Sequence, residues 1–272
     1  MVWRQPVWAT QEGLFGMIVK WGIPVTPITG KKKPRTVYVY LPKAAQKDPD
    51  ARFPVLYMFD GHNVFFDGDA TYGKSWGMGK YLDRIRARLI VVALDCDHRP
   101  PNARLSEYSP FTFRDPEFGH VTGRGKLFMD WLTEVLKPVI DGRYPTLPEW
   151  EHTWICGSSM GGLMSLYAVT CYNHVFSRCA ALSPSVDLVK GKMVPLIRET
   201  DFAPGTVVYM DYGSREMEGQ SGVLRNFTRT ADALMEKGVF VTSRIVPNGD
   251  HCEECWEEQI PLFMRVLFYN RE

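Results

Sequence analysis

The chain has 272 residues, of which 45% are apolar and 23% charged, and its formal net charge is +1. That length accommodates one large α/β domain or two small ones, and a single domain over residues 1–272 is the simpler expectation. A near-neutral balance speaks against a nucleic-acid partner, which calls for a basic stripe; Lys31-Lys32-Lys33, beside Gly30 and Pro34, reads as a solvated hairpin turn. No apolar run is long enough to cross a bilayer, so no membrane partner is expected. The opening MVWRQPVWATQEG lacks the basic start, apolar block and cleavage site of a secretory leader, and the expected location is the cytoplasm. Six cysteines, Cys96, Cys156, Cys171, Cys179, Cys252 and Cys255, are embedded in apolar segments rather than spaced as a disulfide framework, and the middle three read as small core residues.

In chain order, Leu14 to Ile23 and Arg35 to Leu41 flank the lysine turn and predict two antiparallel strands. After a polar loop from Pro42 to Phe53 the texture changes to continuous apolar runs at Val55–Phe59, Leu89–Leu94, Thr153–Cys156, Arg178–Leu182, Thr206–Met210 and Val239–Val246. Runs without alternation suit strands buried on both faces of a mainly parallel sheet. Helical patterns lie between them at Trp76–Arg88, Gly125–Ile140, Gly162–Tyr172, Ser221–Lys237 and Cys252–Phe268. The expectation is an α/β sheet of about eight strands, mostly parallel with an antiparallel N-terminal start and helices on both faces. The Pro- and Arg-rich stretch from His98 to Gly125 shows no period and is expected as a long loop over the mouth of a site.

The run Trp154–Cys156 passes directly into Gly157-Ser158-Ser159-Met160-Gly161 and then into a helical pattern. Gly-x-Ser-x-Gly between a strand and a helix is a nucleophile elbow, whose strained turn lifts the serine hydroxyl clear of the backbone; Ser159 is the candidate nucleophile. A nucleophilic serine needs a base, and the base needs an acid to orient it. His251 follows the last apolar run in the turn-rich Pro247-Asn248-Gly249-Asp250 loop and is the candidate base. Val207–Glu218 ends a buried strand with two acids: Glu216, beyond the Gly213 turn, fits a loop folding toward the histidine, and Asp211, nearer the strand end, is the second choice. The order Ser159, Glu216, His251 is that of an α/β-hydrolase fold. The expected oxyanion donors are the backbone N–H of Met160, just after the nucleophile, and that of His62 in Asp60-Gly61-His62-Asn63, with Asn63 the alternative.

YMFDGHNVF, GSSMGG, DYGSRE and GDHCEECW together resemble the esterase family of α/β-hydrolases that includes feruloyl esterases, enterochelin esterases, S-formylglutathione hydrolase and the mycolyltransferases. The resemblance spans Arg35 to Phe268. It implies that Ser159 and His251 are catalytic and that Glu216 occupies the acid position, where Asp is the commoner residue in the family, so Asp211 stays open. Arg104, with Glu107 and Tyr108, is similar to a family segment near the substrate entrance; its structural reading is an Arg104–Glu107 pair bracing the loop. Trp76 is expected to line or support the acyl pocket, and Asn63 and Arg104 to reach substrate.

Three patterns compete with this reading. Gly68-Asp-Ala-Thr-Tyr-Gly73-Lys74-Ser75 matches the phosphate-binding P-loop letter for letter, but the preceding strand ends near Phe59 rather than at the first glycine, and Asp67 and Asp69 would oppose phosphate. His251-Cys252-Glu253-Glu254-Cys255 has the look of a zinc clip or redox pair, yet a lone Cys-x-x-Cys is incomplete for zinc and reads as the first turn of a helix. Trp76, Trp131, Trp150 and Trp256 could stack on carbohydrate, although core packing is the simpler use. The function expected is a serine carboxylic-ester hydrolase acting through an acyl-enzyme on a small-molecule ester, with no cofactor and no metal. An acyltransferase on the same scaffold is the alternative, distinguished by product partition with an added alcohol, and a P-loop nucleotide binder is the more remote one.

Overall fold

The computed structural model describes residues 16–30, 33–218 and 221–269. Among the described residues there are ten strands: β1 (Met17–Pro24), β2 (Pro34–Leu41), β3 (Val55–Met58), β4 (Ile90–Leu94), β5 (Phe113–Asp115), β6 (Gly119–Val121), β7 (Thr153–Ser158), β8 (Arg178–Leu182), β9 (Val207–Gly213) and β10 (Phe240–Val246). Eight of them form one sheet in the order β1-β2-β4-β3-β7-β8-β9-β10. The β1–β2 and β2–β4 pairings are antiparallel, and every pairing from β4 through β10 is parallel. All eight expected strands are therefore in this sheet. The expected opening segment and part of the lysine turn, Leu14, Lys31 and Lys32 among them, lie outside the described residues.

Why β3, β4 and β7 to β9 read as unbroken apolar runs is visible in the two cores; β10, expected to be buried likewise, ends the sheet and its residues are exposed or half-buried. Val55, Tyr57, Phe59, Ile155, Cys179, Val208 and Met210 face one core. Leu56, Met58, Trp154, Cys156, Ala180 and Tyr209 face the other. Period-two alternation persists, but both sets of side chains are buried, so it never appears as apolar against polar.

Among the described residues, ten α-helical segments surround the sheet: α1 (Thr26–Thr29), α2 (Lys43–Lys47), α3 (Met78–Arg84), α4 (Ala103–Glu107), α5 (Gly125–Trp131), α6 (Lys137–Arg143), α7 (Met160–Cys171), α8 (Met193–Glu199), α9 (Ser221–Glu236) and α10 (Glu253–Leu267). The single helix expected over Gly125–Ile140 is interrupted by a π-helical turn at Leu132–Leu136. Pro138, in the first turn of α6, has no N–H to return to the preceding turn, and its ring crowds the carbonyl there, which accounts for the widening. The stretch from His98 to Gly125 is not the irregular loop expected. It contains α4 and the β5–β6 hairpin, elements of five and three residues that are too short to show a period. No helix among the described residues is long and apolar enough to cross a membrane.

One buried ion pair fixes that stretch to the sheet. Arg35, near the start of β2, donates from Nη1 and Nη2 to Glu107 Oε1 and Oε2 of α4 at 2.8 and 3.0 Å, and Nη1 also reaches the Asp95 carbonyl at 3.0 Å. The partner expected for Glu107 was Arg104; that guanidinium is instead engaged by Asp60. Removing one member of a desolvated pair leaves the other charge without compensation. Glu107→Ala is accordingly expected to destabilise the fold by about 3–5 kcal/mol, read from urea unfolding midpoints at unchanged m-value.

Candidate active site

Because β3, β4 and β7 to β10 run parallel, their C-terminal ends share one edge of the sheet, and the polar residues beyond each end are brought to it. Ser159 occupies the junction of β7 and α7 with φ 58° and ψ −124°, a conformation that L-residues rarely adopt. Its N–H donates to the Leu182 carbonyl at 2.9 Å, and its own carbonyl accepts from Leu163 and Ser185 at 3.0 and 3.1 Å. Gly157 has no alternative at its position, since a Cβ there would lie 2.7 Å from the Gly161 backbone and 2.9 Å from the Phe59 ring. The N–H of Met160, first residue of α7, belongs to the turn whose donors have no intrahelical acceptor.

Glu216 and His251 meet. Glu216 follows β9 in a 3₁₀ turn, and its Oε2 lies 2.5 Å from His251 Nδ1. The other oxygen, Oε1, accepts from the Gly213 N–H at 2.9 Å and from Ser183 Oγ at 2.7 Å. Ser183 Oγ in turn accepts from Trp256 Nε1 at 3.0 Å, and the Trp256 ring meets the His251 imidazole edge-on with centroids 5.0 Å apart. The two loops are laced together: Arg215 N–H donates to the Gly249 carbonyl, Ser214 N–H to the Val246 carbonyl, and Arg215 pairs with Asp250. Sequence reasoning assigned nothing to Ser183. Its signal was available, as a polar residue directly after the apolar run of β8.

Asp211 is placed elsewhere. It is 1% exposed on β9, its Oδ2 accepts from Tyr209 Oη at 2.6 Å, and burial pushes its carboxyl up to about 6 despite that hydrogen bond.

The loop after β3 packs on the elbow: a Cβ on Gly161 would stand 3.3 Å from Asp60 Oδ2. Left-handed backbone falls on Asp60 (φ 54°), and Gly61 is needed because a Cβ would strike the Ala93 carbonyl of β4 at 2.7 Å. The Asn63 N–H is already donated to the Asp60 carbonyl at 2.8 Å, which favours His62 over Asn63 as a donor to an external oxyanion. Arg104 grips Asp60 through two 2.7 Å hydrogen bonds; burial alone would raise the Asp60 carboxyl, and the guanidinium outweighs it to hold the group below its ordinary range.

The expected substrate contacts are occupied within the fold. Asn63 Nδ2 donates to Glu253 Oε1 at 3.1 Å, while its Oδ1 accepts from the Thr71 N–H. Trp76 is 4% exposed and packs on Trp256 and Phe263, so it backs the histidine's aromatic neighbour. Trp131 is likewise buried. The Asp187–Pro204 connection approaches the His98–Gly125 stretch, with Lys192 Nζ donating to the Thr112 carbonyl at 2.8 Å. Burial raises the Asp187 carboxyl against the opposing backbone hydrogen bonds at Asp187 and Leu188.

The P-loop pattern falls in turns between β3 and α3; Lys74 pairs with Glu257, and Ser75 Oγ donates to Asp67 at 2.7 Å. Cys252 stands at the N-terminal boundary of α10 with its Sγ 3.3 Å from that of Cys255, and all six cysteines are free thiols. Cys171 is only half-buried, unlike Cys156 and Cys179.

Comparison with known proteins agrees with this architecture. A Bacillus subtilis (strain 168) protein, YbbA, described as uncharacterized, is 24% identical over 214 residues, covering 75% of this chain and 79% of its own length. A ferulic acid esterase superposes with TM-score 0.68 at 17% identity, over 94% of this chain and 99% of its own. The enterobactin and salmochelin hydrolase IroE gives TM-score 0.69 at 18% identity, over 96% and 98%. The family described as Putative esterase matches residues 29–262, so the chain belongs to that family and is a carboxylic ester hydrolase of the α/β-hydrolase fold.

Proposed function

We propose that the protein is a serine esterase working through a covalent acyl-enzyme, with Ser159 as nucleophile, His251 as general base and Glu216 as the acid that orients it. The observation carrying this reading is the 2.5 Å contact between Glu216 Oε2 and His251 Nδ1, at the sheet edge where Ser159 sits in its strained turn. With Nδ1 held by the carboxylate, Nε2 is the nitrogen left to take the serine proton. Ser159 Oγ attacks the ester carbonyl as that proton moves to Nε2, and the Met160 and His62 N–H groups stabilise the oxyanion. His251 then protonates the departing alcohol, and a water activated by the same nitrogen releases the acid. No step requires a metal or organic cofactor.

Two-point acceptance at Oε1, from the Gly213 N–H and the Ser183 hydroxyl, fixes the position of the Glu216 carboxyl from which Oε2 orients the imidazole. Small-molecule esters are the proposed substrates. Feruloyl esters and enterobactin, after the names of the two structural relatives, are the first to assay.

Ser159→Ala is expected to lower hydrolysis of small aryl esters by a factor on the order of 10⁴ or more with unchanged thermal unfolding; wild-type turnover would remove Ser159 from the mechanism. The two acids separate cleanly. Glu216→Gln is expected to reduce kcat about 10⁴-fold, whereas Asp211→Asn stays within a few-fold of wild type. Asp211 also has a pH signature. Its unfolded-state value near 3.8 lies below the folded value of about 6, so the stability it contributes below the first is lost as pH rises through the second. Denaturant titrations at pH 4 and pH 8 should show Asp211→Asn gaining on wild type at the higher pH, and equal differences at both would contradict the buried, proton-holding carboxyl.

A further inference from the structure

A second cluster of chemistry-bearing side chains stands behind the loop after β3. Asp95, Cys96 and His98 follow β4, and His62 reaches them from the neighbouring loop; one donor atom from each of the four lies within 4.8 Å of all the others. His62 is 7% exposed. Its Nε2 is engaged with Thr71 Oγ1 at 2.9 Å, which leaves Nδ1 facing inward with no aligned hydrogen-bond partner. That atom is nevertheless 2.7 Å from Asp95 Oδ1. The same oxygen is 2.8 Å from His98 Nε2, and Cys96 Sγ is 3.9 Å from the His98 ring nitrogens.

If Nε2 of His62 donates to Thr71, the lone pair of Nδ1 confronts a carboxylate oxygen at contact distance. A cation between them, either a proton on Nδ1 or a metal ion, turns that repulsion into attraction, and the nearby second imidazole and thiol add two further donors that suit a metal ion. We propose that His62 Nδ1, Asp95 Oδ1, Cys96 Sγ and His98 Nε2 bind a single divalent transition-metal ion of the zinc class. Two imidazoles, one thiolate and one carboxylate are a borderline-soft, four-donor set that suits Zn²⁺ and disfavours Mg²⁺ or Ca²⁺. Bond lengths of about 2.0–2.3 Å place tetrahedral ligands roughly 3.3–3.8 Å apart, between the 2.7 and 3.9 Å contacts present. Rotation of His98, whose side chain is 56% exposed, and of Asp95 opens the space. Thr71 on Nε2 is the outer contact that fixes the ring of a ligating histidine. Binding releases the Cys96 thiol proton to solvent.

The consequence is mechanical. The ion staples the loop after β3, which carries the His62 N–H, to the loop after β4, and it stands apart from the Cys252–Cys255 pair that the sequence offered as a zinc clip.

The test is direct titration of chelator-treated full-length protein with Zn²⁺ by calorimetry, and with Co²⁺ by absorbance, without reference to ester hydrolysis. One ion per chain is expected, together with a thiolate-to-cobalt charge-transfer band in the near ultraviolet. His98→Ala, at an exposed position that does not endanger folding, should weaken binding at least tenfold, since even outer-shell losses cost about 10–100-fold. Cys96→Ser should abolish the charge-transfer band. Absence of stoichiometric Zn²⁺ binding, an unchanged affinity in His98→Ala, or loss of the band in Cys252→Ser instead of Cys96→Ser would each overturn the assignment.

Discussion

The site depends on a single backbone conformation. Holding Ser159 at φ 58° costs on the order of 1–3 kcal/mol, and nothing in the serine itself offsets it. The compensation is local and specific: one hydrogen bond from its N–H to β8, and two accepted by its carbonyl, one from the turn after β8 and one from its own helix. At about 0.5–1.5 kcal/mol each, three such bonds are of the size required. They also do something the energy does not express. The partner on β8 and the loop behind it lead directly to Ser183, so the strand that fixes the serine also fixes the hydroxyl that holds Glu216.

Glu216, His251, Ser183 and Trp256 behave as one unit. The carboxylate is held on three sides, by a backbone N–H, a hydroxyl and the imidazole, and the indole supports both the hydroxyl and the ring face. Trp76, buried behind Trp256, extends that support into the core between α3 and α10. A loop residue such as His251 would otherwise be free to rotate over the edge of the sheet. Here its mobility is limited by an aromatic neighbour from the very helix that its own loop begins.

How much of this could be read from the chain depends on the range of the interaction. The central strands were legible because burial on both faces leaves long apolar runs, and the elbow was legible because strand, turn and helix are contiguous from Thr153 to Cys171. Glu216 ranked above Asp211 because it lies beyond the strand end, and it is Glu216 that contacts His251 while Asp211 is buried within β9. What stayed hidden was pairing. Arg104 seemed to answer Glu107 three residues away, but α4 directs one side chain to Asp60 and the other to Arg35, partners 44 and 72 positions distant. Trp76 and Asn63 were expected near substrate from their place in the stretch after β3, and the structure packs both side chains against α10.

Asp60 shows why such pairing matters to the chemistry. A buried carboxylate beside an expected oxyanion position should oppose negative charge there, and its proximity to the elbow makes the conflict acute. Arg104 resolves it. The bidentate guanidinium neutralises Asp60 in place, so the field at the edge is that of a closed ion pair together with the N–H groups, and the left-handed turn at Asp60 can be used without a net anion behind it. An arginine expected to meet the substrate instead pairs with Asp60, on the loop that carries the expected oxyanion donor His62.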